Sequence, residues 1–262
     1  MAIDPELLRT ELAFALRLAD LADAETLPRY LAKSFTVDHK RDHSEVTEAD
    51  RTAELVIRAH VLAECPAHAL YGEEHGLIGP PDSPWRWIVD PIDGTSNYVR
   101  GIPVWATLIG LTFEGESVLG VVSAPVFGRR WWGAQGLGAF VAAGSGGTAT
   151  PIHVSAIDSL EESQVSVTFS SGWDDLGLTE FLVAYQSKAW RTRGFGDFWQ
   201  HMLVAEGAVE VAVDAVGLQP YDLAAVKIIV EEAGGTFTDR HGVPTYMSDT
   251  AISTNGRVPG PF

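Results

Sequence analysis

The chain is short of three things. It has one cysteine, Cys65, among 262 residues. An intrachain disulfide is therefore impossible and a cysteine-based zinc site is ruled out, so Cys65 reads as a reduced, partly buried thiol. Positive charge is also scarce: 18 Lys and Arg stand against 35 Asp and Glu, a formal net charge of −17. Binding to nucleic acid needs a basic face, so that partner is excluded, and an anionic membrane surface with it. Finally, no apolar run approaches the length of a membrane span, and the opening MAIDPELLRT lacks a basic-then-apolar leader pattern. The expectation is a soluble, cytoplasmic protein without a membrane partner. An anionic substrate would have to be drawn in by a bound cation, since the overall field repels it.

What is present is enough apolar residues, 46%, to bury a large core, with 20% charged residues as in ordinary globular proteins. The length suits one large domain or two closely packed halves. Asp4 to about Leu31 reads as an amphipathic helix. Thr47-Glu48-Ala49-Asp50 resembles a capping box opening a second helix that runs toward Glu64, and Pro66 closes it. A short strand over Ala69–Tyr71 ends in Gly72-Glu73-Glu74, and Trp85–Val89 is a second strand. From Trp105 to Phe140 the pattern is β, with glycine turns between segments. The segment AAGSGGTAT, Ala142–Thr150, is the weakest-structured and suggests a boundary between halves at 1–145 and 146–262. Beyond it strands alternate with helices, the last helix running from Asp222 to Ala233 into Gly234-Gly235.

The chemistry concentrates in WIVDPIDGTSNY, Trp87–Tyr98. An apolar strand delivers Asp90 at its C-terminal end, where sites in α/β sheets tend to lie. Pro91 disfavours helix just before it, and Gly94 permits a sharp turn or a close ligand approach. The amides of Gly94 and Thr95 begin a short helix and can hold an anion. Two carboxylates ~4 Å apart repel by about 4 kcal/mol at an effective dielectric of 20. Such an arrangement needs a cation, a shared proton or wide separation, and hard oxygen ligands favour Mg²⁺. Taken alone, Asp90 and Asp93 could equally cap a turn and a helix, and Asp222 could be a plain N-cap.

Three stretches in register change the balance. GEE at Gly72–Glu74, WIVDPIDGTSN at Trp87–Asn97 and YDLAAVKIIVEEAGG at Tyr221–Gly235 resemble, in order, the motifs of the inositol monophosphatase-like Mg²⁺-dependent phosphatases. The resemblance runs from about Lys40 to about Asn255. It implies an α/β layered sandwich (α-β-α-β-α) of the inositol monophosphatase/fructose-1,6-bisphosphatase type. It implies two or three Mg²⁺ per site, held by Glu73, Asp90, Asp93, Asp222 and the main-chain carbonyl of Ile92. Gly94 and Thr95 match the turn that holds phosphate oxygens. Asp42 and Thr95 are expected to orient the attacking water, with Glu45 as the fallback acid. Two positions depart from the pattern: Tyr221 replaces the usual Trp, and Glu45 stands where many relatives have Pro. The implied reaction is metal-assisted hydrolysis of a small phosphate monoester by water, without a covalent intermediate. Relatives are often homodimers.

Within that superfamily GIPVWATLIGL (Gly101–Leu111), RRWWGAQGLGAF (Arg129–Phe140) and RTRGFGDFWQHMLVAEGAVEVAVD (Arg191–Asp214) resemble the histidinol-phosphate phosphatase branch. Such a substrate carries an ammonium and an imidazole, so its pocket should offer acids beyond the metal ligands. Asp214 is the expected contact, with Glu210 as a weaker one. Arg193 is expected to touch phosphate or a partner subunit. Trp105 could stack on the imidazole, although the core is its commoner place. The alternatives are an inositol monophosphatase, a nucleotide 3′-phosphatase, or a catalytically silent relative. Retention of Glu73, Asp90, Asp93, Asp222 and Thr95 argues against the last.

Overall fold

The computed structural model describes residues 3–40 and 44–262. Helix α1 (Pro5–Ala32) starts where the Asp4 side chain accepts the Glu6 amide, and it stops at Lys33 in a left-handed conformation, φ 50°. Strands β1 (Val37–His39) and β2 (Glu45–Thr47) pair antiparallel and lead into α2 (Glu48–Glu64). The expected capping box forms: Thr47 receives the amides of Ala49 and Asp50, and Asp50 receives the Thr47 amide.

The next strands build a large sheet: β3 (Ala69–Gly72), β4 (Gly76–Ile78), β5 (Trp85–Asp93), β6 (Ala106–Phe113), β7 (Glu116–Ala124), β8 (Arg129–Ala134), β9 (Gly138–Ala142) and β10 (Thr150–Ile152). Their spatial order is β10-β9-β8-β7-β6-β5-β3-β4, antiparallel except where β3 runs parallel to β5. The one-turn-and-a-half helix α3 (Thr95–Arg100) follows β5 directly. A second sheet, ordered β12-β11-β13-β15-β14, uses β11 (Gln164–Val167), β12 (Arg191–Arg193), β13 (Val211–Val213), β14 (Thr236–Thr238) and β15 (Ile252–Thr254). Its helices are α4 (Ser171–Asp175), α5 (Thr179–Gln186), α6 (Asp197–Ala205) and α7 (Pro220–Glu232).

Packing gives five layers. Helices α1 and α2 cover one face of the large sheet, burying Leu8, Phe14, Leu18, Ile57 and Val61 against Trp87, Ile109 and Val121. Helices α6 and α7 lie between the two sheets, where Phe198, Met202, Val226 and Ile229 pack with Leu108, Val122 and Trp131. On the far side of the second sheet, Trp173 of α4 and Leu182 of α5 pack on Val165 and Val211. The α-β-α-β-α sandwich is thus present. Among the described residues no helix is long and apolar enough to cross a membrane.

One detail differs from the sequence expectation. The large sheet extends past residue 145, because β10 pairs with β9. Within the strands, Gly110, Gly120 and Gly133 have a packing role. They stand opposite one another on β6, β7 and β8. A Cβ at Gly120 would lie 2.3 Å from the Ala225 carbonyl oxygen, and one at Gly110 3.0 Å from Ala224 Cβ. These glycines form a trough in which α7 lies, and its N-terminal turn thereby brings Asp222 beside the end of β5.

Candidate active site

Strand β5 ends at the cavity. Asp90 is 2% exposed, and the register between β5 and β6 shifts between Asp90 and Asp93. That irregularity, at Pro91, lets both carboxylates point toward one cavity of about 290 Å³, whose lining includes Glu73, Asp90, Asp93, Thr95, Asp197 and Asp222. One carboxylate oxygen each from Asp90, Asp93 and Asp222 lies within 4.8 Å of the others. Each aspartate is oriented by a backbone amide: Ile92 N donates to Asp90 Oδ1 (2.9 Å), Phe198 N to Asp93 Oδ2 (2.9 Å) and Gln219 N to Asp222 Oδ2 (2.7 Å). Three elements, β5, α6 and α7, therefore converge on one acidic point.

Burial, reinforced by the neighbouring acids, pushes Asp90 and Asp93 well above the ordinary carboxylate range. The same causes push Asp222 up to about 7, although a backbone bond and a side-chain bond to Asp90 oppose the rise. Two carboxylates can bond to each other only through a proton. Without one, the trio needs a cation, and it offers only the hard oxygens that Mg²⁺-like ions prefer.

Glu73 follows β3 on the same rim. Lys40 Nζ holds Glu73 Oε1 at 2.7 Å and Glu74 Oε1 at 2.6 Å. Glu73 Oε2 is buried and has no hydrogen-bond partner among the described residues. Glu73 stands outside the 4.8 Å grouping of the three aspartates, but it acts on Asp90 electrostatically. Gly94 adopts φ 80° and caps α3, and Thr95 opens that helix facing the cavity. The Ile92 carbonyl accepts Thr95 Oγ1 at 3.0 Å.

Asp42 lies outside the described residues. The acid beside Thr95 is Asp50, whose Oδ1 is 3.1 Å from Thr95 Oγ1. Asp50 is fully buried, and burial pushes its carboxyl up to about 7 against its bonds to Thr47. From the sequence, Asp50 has only its capping role. One oxygen does cap α2, and nothing local reveals that the other reaches a residue 45 positions away. Glu45, at the start of β2, lines the cavity mouth.

The expected substrate contacts fare differently. Asp214 is 5% exposed, with Oδ2 3.0 Å from His201 Nε2 and Oδ1 accepting the Ala215 amide. It is not among the residues that line the cavity. Glu210 lies at the opposite end of β13 from Asp214, buried, where it accepts the Gln164 amide at 2.7 Å. Arg193 is exposed on the edge strand β12 and bonds its neighbour's carbonyl. None of the three is brought into the cavity. Trp105 is fully buried with Tyr30 and Tyr98, as a core residue. In place of Asp214 the structure brings in Asp197, the first residue of α6. Its φ is 49°, and Asn97 Nδ2 donates to its Oδ2 at 2.8 Å. Burial pushes its carboxyl up to about 6, with Asp214 adding to the rise and the Asn97 bond opposing it. A left-handed non-glycine residue in a cavity wall is strain of the kind that collects at functional sites.

A histidinol-phosphatase of Streptomyces coelicolor is 44% identical over 252 residues, covering 95% of this chain and 93% of that protein. A histidinol-phosphatase of Mycobacterium tuberculosis is 43% identical over 247 residues, covering 94% of each. In structure, the extragenic suppressor protein suhB of Bartonella henselae superposes with a TM-score of 0.84 at 28% identity, covering 95% of both chains. Residues 8–259 match the inositol monophosphatase family. With the sequence matched over nearly its whole length and the layered fold reproduced, the chain belongs to the inositol monophosphatase family.

Proposed function

We propose that this protein hydrolyses a small phosphate monoester with the help of divalent metal ions, and that the ester is histidinol phosphate. The observation that carries the reaction class is the convergence of Asp90, Asp93 and Asp222 within 4.8 Å, next to the first turn of α3 and the Asp50–Thr95 pair. The relatives named histidinol-phosphatase support the substrate.

The residues fit a metal centre. Burial holds the three aspartates in a state that favours their neutral form, Glu73 Oε2 is a buried oxygen without a partner among the described residues, and every donor is a hard oxygen. We assign Glu73, Asp90, Asp93, Asp222 and the Ile92 carbonyl to Mg²⁺, two or three ions per site. When bound, such ions offset phosphoryl charge and acidify water. The chain supplies the positioning. Gly94 and Thr95 receive the phosphate oxygens at the start of α3. Thr95 Oγ1 has one proton to give, and Asp50 Oδ1 and the Ile92 carbonyl compete for it. Donating to Asp50 leaves its lone pairs directed at a water, which Asp50 can then relieve of its proton through the hydroxyl. That pair takes over the role expected of Asp42.

Asp197 takes the role expected of Asp214. Its carboxylate lines the cavity with one oxygen fixed by Asn97, which leaves acceptor capacity for an ammonium or a protonated imidazole.

The test is a panel of histidinol phosphate, inositol phosphate and a nucleoside 3′-phosphate, each assayed with Mg²⁺ and with chelator. Histidinol phosphate should be hydrolysed with the highest kcat/KM, and chelation should abolish the reaction. Inositol phosphate turning over equally well would replace the substrate assignment. Undiminished activity in chelator would remove the metal mechanism. Light scattering on the eluting protein tests the homodimer that the family resemblance implies.

A further inference from the structure

The end of the large sheet remote from the aspartate cavity holds a second convergence of metal-ligating groups. Glu11 comes from α1, Cys65 from the C-cap of α2, and His68 from the residue before β3. One donor atom from each lies within 4.8 Å of the others. The Cys65–His68 turn is closed by His68 N donating to the Cys65 carbonyl at 2.9 Å. The His68 ring is stacked on Trp85, centroids 5.6 Å apart and planes 18° apart.

Two further facts point to a ligand. Glu11 is only 8% exposed, and its Oε2 is buried with no hydrogen-bond partner among the described residues. His68 Nδ1 is likewise buried without a partner. A carboxylate and an imidazole this close normally bond to each other, because leaving either unsatisfied in an apolar surround is costly. Here one donor atom of each lies within 4.8 Å of one from the other and from the thiol, and Glu11 Oε2 and His68 Nδ1 pair with nothing among the described residues.

We propose that Glu11, Cys65 and His68 form a second metal site, suited to a zinc-like divalent ion and independent of the aspartate cavity. Sulfur, nitrogen and oxygen donors form the mixed set that zinc accepts in tetrahedral geometry, with water in the fourth position. Bond lengths of about 2.0–2.3 Å require donors roughly 3.5 Å apart, so closure by an ångström or so suffices. Mg²⁺ is disfavoured, since it selects hard oxygen ligands. Binding ionises the Cys65 thiol and releases its proton to solvent. The ruling-out of a cysteine-based zinc site from the cysteine count holds for sites of several cysteines. The site proposed here uses one cysteine and completes its donor set with Glu11 and His68.

His68 precedes β3 and Glu73 follows it, so the two sites are separated by about 17 Å of strand. An ion here would tie α1 to the connection between α2 and β3. Its effect is on stability and on the thiol, and the chemistry in the cavity is left alone.

The test uses the full chain, stripped with chelator and then saturated with Mg²⁺ to fill the oxygen-only cavity. Co²⁺ is the probe. It should give a near-ultraviolet thiolate-to-cobalt charge-transfer band that saturates at about one ion per chain and is displaced by Zn²⁺. Co²⁺ among aspartates has no sulfur ligand and gives no such band. Zn²⁺ should also slow alkylation of Cys65 at least ~tenfold and raise the melting temperature by a few degrees. Cys65→Ser should lose the band and the Zn²⁺-dependent rise in melting temperature, and Glu11→Gln should weaken Co²⁺ binding at least ~tenfold, both with Mg²⁺-dependent phosphatase activity unchanged. The proposal is overturned if no band forms, if the band survives in Cys65→Ser, or if Zn²⁺ leaves the alkylation rate unchanged.

Discussion

Two groups of buried acids lie on either side of Glu73, and they answer burial in opposite ways. Glu54, on α2, is fully buried. It accepts Arg58 Nη1 at 3.2 Å, the Glu74 amide at 2.7 Å and the His75 amide at 3.0 Å, and His75 Nδ1 lies 3.1 Å from the same oxygen. Every demand of its charge is met from within the chain. Asp90, Asp93 and Asp222 receive one amide each and otherwise face other acids. The first group is a completed structural network, which fixes the loop carrying Glu73. The second lacks such compensation among the described residues, which is the ground for the metal centre proposed above. Burial is common to both, so burial of an acid alone does not identify a site. The missing compensation does.

This contrast makes opposite predictions for neutralising an acid, and the largest effect belongs to the aspartates. Asp93→Asn should lower kcat/KM at least ~1000-fold, about 4 kcal/mol of transition-state stabilisation. In chelator, however, the same variant should melt at the same temperature as wild type or above it, because a like charge has been removed. The pH dependence has a definite sign. Asp222 is pushed up from an ordinary 3.8 to about 7 in the folded protein, so its folded form holds a proton that the unfolded form has lost. Near pH 4 and below, Asp222→Asn and wild type should be equally stable without metal. As pH rises toward 7 wild type should fall progressively behind. Denaturant titrations in chelator measure the gap. A gap that shrinks with rising pH would mean that the aspartates are compensated after all.

Glu54→Gln should do the reverse. Removing a buried, bonded charge and leaving Arg58 with only the Gly76 carbonyl, and no carboxylate, should cost about 3 kcal/mol of folding stability, with or without metal. The measure is the denaturant midpoint at unchanged slope. If the midpoint stays put, the two groups of acids are not different in kind.

How far the sequence carried this contrast depends on distance along the chain. Asp90, Asp93 and Gly94 stood out as neighbours on a strand and its turn, but the resemblance of three motifs in register is what pointed them to metal and phosphate. The layered fold was legible only through the resemblance that its motifs carry, while α1 and α2 were legible locally, α1 from its apolar residues and α2 from its Thr47 cap. Asp50 was not. Its capping oxygen satisfies the local pattern, while the oxygen that reaches Thr95 depends on where α2 and α3 come to rest. The same holds for Asp214 and Asp197. The end of a strand was a reasonable place for a substrate contact, but His201 of α6 engages Asp214, and the first turn of that helix puts Asp197 in the cavity. The alignment of Gly110, Gly120 and Gly133 needs the strand register, which alternation of apolar residues does not fix across neighbouring hairpins.

A smaller effect tests the seam between the two groups. Gly72 precedes Glu73, and a Cβ there would lie 2.3 Å from Glu54 Cδ. The glycine lets the Glu54 carboxylate reach the amides of Glu74 and His75. Gly72→Ala should therefore cost roughly 2 kcal/mol by overpacking. Combined with Glu54→Gln it should cost less than the sum, since both changes disturb one contact. Strict additivity would show that Gly72 serves some purpose other than making room for Glu54.

The smallest effect concerns an acid that belongs to neither group. Asp197 has one oxygen bonded to Asn97 and lies near Asp93, but it stands outside the three-aspartate grouping. If it meets the positive charge of the substrate, Asp197→Asn should raise KM for histidinol phosphate about tenfold, near 1.4 kcal/mol, and leave KM for an uncharged alcohol's phosphate within about twofold. Asparagine tolerates the left-handed backbone at φ 49° as well as aspartate does, so the helix start should survive the change. An equal loss on both esters, carried in kcat, would instead make Asp197 part of the cation-holding set. In that case the boundary of the uncompensated group would have to be redrawn to include the first turn of α6.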